Sequence, residues 1–177
     1  MPELTVVGIG SRYGRDDAVG LLLVETLSAS ATRHVRTQVW ENADALTLVH
    51  DLLELTGPVL VVDCADMGLK GGEWRFLTWQ EGRCRYHRSS VSTHGLGMAE
   101  ALAMARDLGF THPIHLFGVQ PFDLSPFQGL TTEMQGFFSA ALQALEATIC
   151  RLLGVVDSAI APICRRAGRE SCVWPSP

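Results

Sequence analysis

Residues 4–28 read LTVVGIGSRYGRDDAVGLLLVETLS. Residues 4–10 form a continuous apolar, β-branched run that stops on a glycine, the pattern of a strand buried on both faces. From Asp17 the period changes. Val19, Leu22, Leu23 and Leu27 recur at helical spacing, and the acidic residues fall in the first turn, where the helix dipole favours them. A buried strand that passes through a glycine turn into a helix is the repeating unit of an α/β fold.

The rest of the chain repeats this unit. HVRTQVW (34–40) alternates apolar and polar residues as a half-exposed strand does, and DALTLVHDLLELT (44–56) returns to helical spacing, with Asp44 as N-cap and Gly57-Pro58 as the stop. PVLVVDCADMG (58–68) is a second buried strand that ends on Asp63 before the turn GLKGG. EWRFLTW (73–79) and RCRYHR (83–88) add peripheral strands, close enough in sequence to pair antiparallel. SVSTHGLGMAEALAMARDLGF (90–110) predicts a helix with Leu96, Ala99, Leu102, Ala103 and Leu108 along its apolar stripe, closed by Gly109. PIHLFGVQP (113–121) is a further buried strand, and a last helix covers about residues 131–153. The expected fold is α/β: a three-layer αβα sandwich, with a mostly parallel mixed sheet of about five strands and helices on both faces. Residues 1–153 are expected to form a single domain, with 154–177 a loosely ordered tail.

With 177 residues, 47% of them hydrophobic, the chain can bury one substantial core. Nineteen acidic against 14 basic residues, without a basic run, argue against a nucleic-acid partner. The start MPELTVVGIG has neither the basic residues nor the apolar stretch of a secretory signal, and no segment has the length and apolarity to span a bilayer. A cytoplasmic protein without membrane association is expected, and a monomer. The cysteines at 64, 84, 150, 164 and 172 are irregularly spaced and contain no Cys-x-x-Cys pair, so they read as reduced thiols, with Cys64 a small core residue.

In a parallel sheet, ligands bind beyond the carboxyl ends of the strands. Three places there carry reactive side chains: Asp16 and Asp17 after the first strand, Asp63 at the end of VLVVD, and His94 in STHG. Two carboxylates and an imidazole from separate loops would offer oxygen and nitrogen ligands to a divalent ion and leave positions open for water or substrate. Singly, each has a structural explanation, as helix cap, turn former or helix-start residue; their joint placement at one edge favours a site. The histidines at 34, 50, 87, 112 and 115 fall in or beside peripheral elements and strands and read as structural.

Nucleotide binding fits poorly. GIGSRYG (8–14) delays the third glycine of a dinucleotide fingerprint by one position, and Asp16 and Asp17 would repel a pyrophosphate, although Glu41 could imitate the ribose-binding acid. No Gly-Lys-Ser/Thr and no Gly-x-Ser-x-Gly occurs, which removes a Walker loop and a nucleophile elbow.

GIGSRYGRDDAVG, VVDCADMG, SSVSTHGLGMAEAL and FGVQPFDLSPFQGLT, in this order over about 150 residues, resemble the maturation endopeptidases of nickel-iron hydrogenases. The resemblance implies a cytoplasmic peptidase that removes a C-terminal extension from the hydrogenase large-subunit precursor after nickel insertion. It implies metal contacts at Asp17, Asp63 and His94, the residues the edge argument selects. Nickel would arrive bound to the precursor, and other divalent cations would be accepted by the same side chains in vitro. Ser11 stands where the family commonly has asparagine. Asp16 and Asp66 are candidate accessory bases, and Gly68, Gly71, Gly72, Gly95 and Gly97 either admit an extended peptide or simply form turns. The competing expectation is a binding module without catalysis, either a nickel-checking chaperone or a degenerate nucleotide-binding domain.

Overall fold

A computed structural model describes residues 4–28, 34–79 and 98–154. Strand β1 (Leu4–Gly10) leads through a short 3-10 helix (Arg15–Ala18) into α1 (Val19–Ser28). Then follow β2 (Val35–Glu41), α2 (Ala45–Leu53), β3 (Val59–Cys64), β4 (Trp74–Thr78), α3 (Met98–Asp107), β5 (Ile114–Val119) and α4 (Thr132–Leu152). The sheet has five strands in the order β2-β1-β3-β5-β4. β1 lies parallel to β2 and β3, and β3 parallel to β5, while β4 runs antiparallel to β5. This is the expected mixed sheet; the strand expected over 83–88 lies outside the described residues.

Each face of the sheet carries its own core. On one, Val6, Leu60, Val62 and Phe117 meet Val19 and Leu23 of α1 and Met134, Leu145 and Ile149 of α4. On the other, Val7, Ile9, Val59 and Val61 meet Leu48, Val49 and Leu52 of α2 and Ala101, Leu102 and Ala105 of α3. β1 and β3 are covered on both sides, which is why their sequences are continuously apolar. Asp44 caps α2 as predicted, its Oδ1 accepting from the N–H groups of Leu46 at 2.9 Å and Thr47 at 3.0 Å. Among the described residues, no helix is long and apolar enough to cross a membrane.

Four details differ from the sequence expectation. The acidic first turn of α1 is a separate 3-10 helix, and Leu21 and Val24 are buried where Leu22 is only half-buried, because α1 packs against both the sheet and α4. Leu108 is exposed beyond the end of α3, where Gly109, at φ 106°, turns the chain back; Ala105 takes the inward position instead. Cys64 is free and buried, but Cys150 is disulfide-bonded, a pairing that irregular spacing in sequence does not disclose.

The chain leaves β1 to form β2 on one side, then returns to form β3 on the other. The reversal opens a crevice between the carboxyl ends of β1 and β3, the place where doubly wound sheets bind ligands.

Candidate active site

Both ends of that crevice carry an acid. Asp63 is the penultimate residue of β3, half-buried, in register with Gly118 of β5. Asp17 lies in the 3-10 helix after β1 and is only 6% exposed. Two close approaches bring that helix to the crevice. A Cβ on Gly20, in the first turn of α1, would stand 2.5 Å from the Val62 carbonyl and 2.6 Å from the Ile9 carbonyl, so only glycine lets α1 start directly against both strands. Gly10, at φ 148°, would clash with the Asp17 carbonyl at 2.0 Å if it bore a side chain. The 3-10 helix therefore packs on the ends of β1 and β3, and Asp17 and Asp63 lie at the same end of neighbouring strands.

The turn before Asp17 is held by its own backbone. Gly14 N–H donates to the Ser11 carbonyl at 3.2 Å, Asp17 N–H donates to the Gly14 carbonyl at 3.0 Å, and the Ser11 hydroxyl accepts from Tyr13 N–H at 3.4 Å. A short side-chain oxygen accepting two residues onward is the turn geometry that asparagine also forms, so Ser11 keeps the local function expected at that position.

Asp16 has a different role from Asp17. It is fully buried, with one oxygen accepting from the N–H groups of Phe122 at 2.9 Å and Asp123 at 3.2 Å. The other accepts from Thr131 N–H at 2.9 Å, and the Thr131 hydroxyl lies within 3.0 Å of both oxygens. Those N–H groups, at the loop entering α4, would make an anion cradle; Asp16 is the anion that fills it. A carboxylate so engaged has no free lone pair directed at a substrate, and its role as an accessory base is replaced by a structural one. Asp66, the other candidate base, is exposed, and hydrogen bonds from Gln120 and Gly68 hold its carboxyl below the usual range, which weakens it as a proton acceptor.

The loop after β1 offers no phosphate site either. The N–H groups of Gly14, Arg15, Asp16 and Asp17 donate to the carbonyls of Ser11, Phe127, Asp123 and Gly14, and Glu41 accepts from Arg12 Nε at 3.0 Å while Arg12 also pairs with Glu25. Of the glycines thought to admit a peptide, Gly71 and Gly72 back onto the rings of Phe122 and Phe137, and Gly68 faces open space at φ 67° in a turn; Gly95 and Gly97 lie outside the described residues.

Gln120 is the residue whose importance sequence reasoning missed. It lies directly after β5 and is 7% exposed. Its Oε1 accepts from Met67 N–H at 2.7 Å and Leu69 N–H at 3.1 Å, and its Nε2 donates to Asp66 at 3.1 Å. One side chain thus fixes the loop that follows Asp63. The only available signal was a polar residue closing an apolar strand.

Cys64, next to Asp63, is not an available nucleophile. Burial pushes its thiol well up, and the carboxylates of Asp63, Asp17 and Asp16 push it further, so it stays protonated. His94 lies outside the described residues, and among the described residues no group of three or more His, Cys, Asp and Glu side chains could hold a metal ion.

Residues 23–148 match the family model for HycI, hydrogenase maturation protease. The chain belongs to the hydrogenase maturation protease family. Among curated relatives of this family, it is 30% identical over 130 residues to the hydrogenase expression/formation protein HupD of Thiocapsa roseopersicina, covering 72% of this chain and 58% of that protein. The match therefore spans little more than half of HupD's length. The hydrogenase 2 maturation protease of Escherichia coli strain K12 is 28% identical over 155 residues, covering 83% of this chain and 90% of that one. Among solved structures, the hydrogenase maturating endopeptidase HybD from E. coli superposes with a TM-score of 0.73 at 26% identity, over 86% of this chain and 94% of its own. HybD from Thermococcus kodakarensis, at 18% identity, shares the fold with a TM-score of 0.66, over 82% of this chain and 98% of that one.

Proposed function

We propose that this hydrogenase maturation protease is an endopeptidase that removes the C-terminal extension of a nickel-iron hydrogenase large-subunit precursor in the cytoplasm, once nickel has been inserted. The observation that carries the reading is the placement of Asp17, in the 3-10 helix packed on the ends of β1 and β3, at the same sheet edge as Asp63 at the end of β3, where this topology binds ligands. Nickel is part of the substrate. Held by precursor ligands, it would receive oxygen donors from the two carboxylates and a nitrogen donor from His94, hard and borderline donors that suit a divalent first-row ion.

In this reading the protein needs no nucleophile of its own. A metal next to the scissile bond polarises the carbonyl or lowers the pKa of a bound water enough to supply hydroxide near neutral pH. This chain docks the nickel at a fixed point, using backbone-held turns on both sides: the Ser11–Asp17 turn and the loop that Gln120 pins after Asp63. A precursor without nickel would lack the feature that docks it, so recognition would double as a check on assembly.

Incubation of the purified protein with nickel-loaded precursor, followed by intact-mass spectrometry, should show the large subunit lose the mass of its extension. Asp17→Asn, Asp63→Asn and His94→Ala should each slow that cleavage by about 100-fold or more, since even residues that only support a metal ligand are worth about 10–100-fold. An unchanged precursor mass, or full cleavage by all three variants, would overturn the reading.

A further inference from the structure

We propose that Tyr13 and Phe127 form a preorganised ledge that docks an extended apolar stretch of the precursor polypeptide beside its cleavage point; this rests on the peptidase reading above. Tyr13 is 67% and Phe127 61% exposed, unusual for large aromatic side chains. The exposed aromatic residues among the described residues are Tyr13, Phe122, Phe127 and Phe137. All four lie at the carboxyl end of the sheet: after β1, in the loop after β5, and in the first turns of α4. Phe122 and Phe137 pack on each other, ring centroids 5.7 Å apart, against Gly71 and Gly72, which leaves Tyr13 and Phe127 as the exposed aromatic pair beside the 3-10 helix; exposed aromatic residues of this kind mark protein contact surfaces.

The ledge is continuous with the candidate site and rigid. Phe127 N–H donates to the Tyr13 carbonyl and Arg15 N–H to the Phe127 carbonyl, both at 2.9 Å, so the two aromatic residues belong to segments bridged in parallel just ahead of Asp17. The Arg15 guanidinium lies 4.8 Å from the centre of the Phe127 ring while its Nε pairs with Asp123 at 3.1 Å. Asp16, through Phe122, Asp123 and Thr131, holds the same loop from beneath. The bridging N–H and carbonyl groups are already paired with each other, so the two exposed side chains are the contact surface this ledge presents. Rings presented without an ordering cost suit an apolar polypeptide segment, and their position beside Asp17 selects the part of the precursor adjacent to the nickel.

The test is steady-state cleavage of nickel-loaded precursor by Tyr13→Ala and the Tyr13→Ala/Phe127→Ala pair, with the dissociation constant for the same precursor measured on the Asp17→Asn background. Loss of each ring should raise KM and the dissociation constant by about tenfold while kcat stays within about twofold, and Tyr13→Phe should keep wild-type values. Tyr13→Ala removes a solvent-exposed ring, so folding does not confound it. If the wild type cleaves and both variants keep its KM, the ledge is refuted and the peptidase reading stands. If the wild type binds precursor without cleaving it, the peptidase reading fails and the dissociation constants alone decide the ledge. A concentration-dependent dimer that Tyr13→Ala abolishes would assign the surface to a second copy of the chain and overturn the proposal.

Discussion

Asp16→Asn should destabilise the protein strongly, because every bond that its carboxylate accepts is buried. An asparagine at 16 retains one acceptor oxygen. If that oxygen faces Phe122 and Asp123, the amide NH2 is turned toward Thr131 N–H, leaving a buried donor without an acceptor; the Thr131 hydroxyl can reorient to accept. Stranding that N–H costs about 1–3 kcal/mol, and the two surviving bonds lose charge assistance worth about 1 kcal/mol each. Relief of the buried charge's desolvation offsets part of this, for a net loss of about 2–4 kcal/mol. Against a total stability of about 5–15 kcal/mol for a domain, that is a large fraction. With a urea slope of about 2 kcal/mol per M, the unfolding midpoint should fall by about 1–2 M. Urea titration of the wild type and Asp16→Asn measures it. A midpoint shift for Asp16→Asn below about 0.5 M would refute the assignment of Asp16 as the internal anion.

Gln120→Leu strands the N–H groups of Met67 and Leu69 and should cost about 1–3 kcal/mol. Gln120→Glu keeps an acceptor for both N–H groups but sets a second carboxylate against Asp66, where Nε2 donated at 3.1 Å, so its melting temperature should approach wild type as pH is lowered and one carboxylate takes a proton; a Gln120→Leu melting temperature equal to wild type would contradict the pinning role. His115, on β5, stacks on Phe76 at 5.5 Å with its Nδ1 lacking a partner among the described residues, and burial holds its imidazole below the usual histidine range. Since the folded value is depressed below the unfolded one, near 6.5, the stability held by the neutral ring is complete above that pH and is lost as pH falls through the window beneath it. The drop in urea midpoint between about pH 7.5 and 5.5 should accordingly be smaller in His115→Phe than in wild type. Cys64→Ala should retain cleavage, and the buried native thiol should react with iodoacetamide much more slowly than in urea; loss of cleavage would return Cys64 to the chemistry.

Much of the fold was legible because burial imposes patterns on sequence. A strand covered on both faces must be apolar at every position, so LTVVGIG and VLVVD announced β1 and β3. The Asp44 cap was legible because its partners lie two and three residues away. The breadth of α1's buried face was not, since that depends on α4, more than one hundred residues onward in the chain. The same distinction separates the site residues. Asp17 and Asp63 could be selected because strand ends in a parallel sheet share one edge whatever the details of packing.

What the sequence could not divide was the pair Asp16–Asp17. Both are acids at a helix start, both are buried, and local rules treat them alike. Only the tertiary structure assigns Asp16 its role, because the donors that claim it come from residues 122, 123 and 131, brought together by the docking of the loop after β5. Gln120 is a parallel case, an ordinary polar residue until the loop after β3 folds over it. The sequence by itself determined the α/β layers and the edge at which the site is proposed, through periodicity and chain direction. Which acid serves the structure was decided by hydrogen bonds between residues about a hundred positions apart, and no local pattern encodes those.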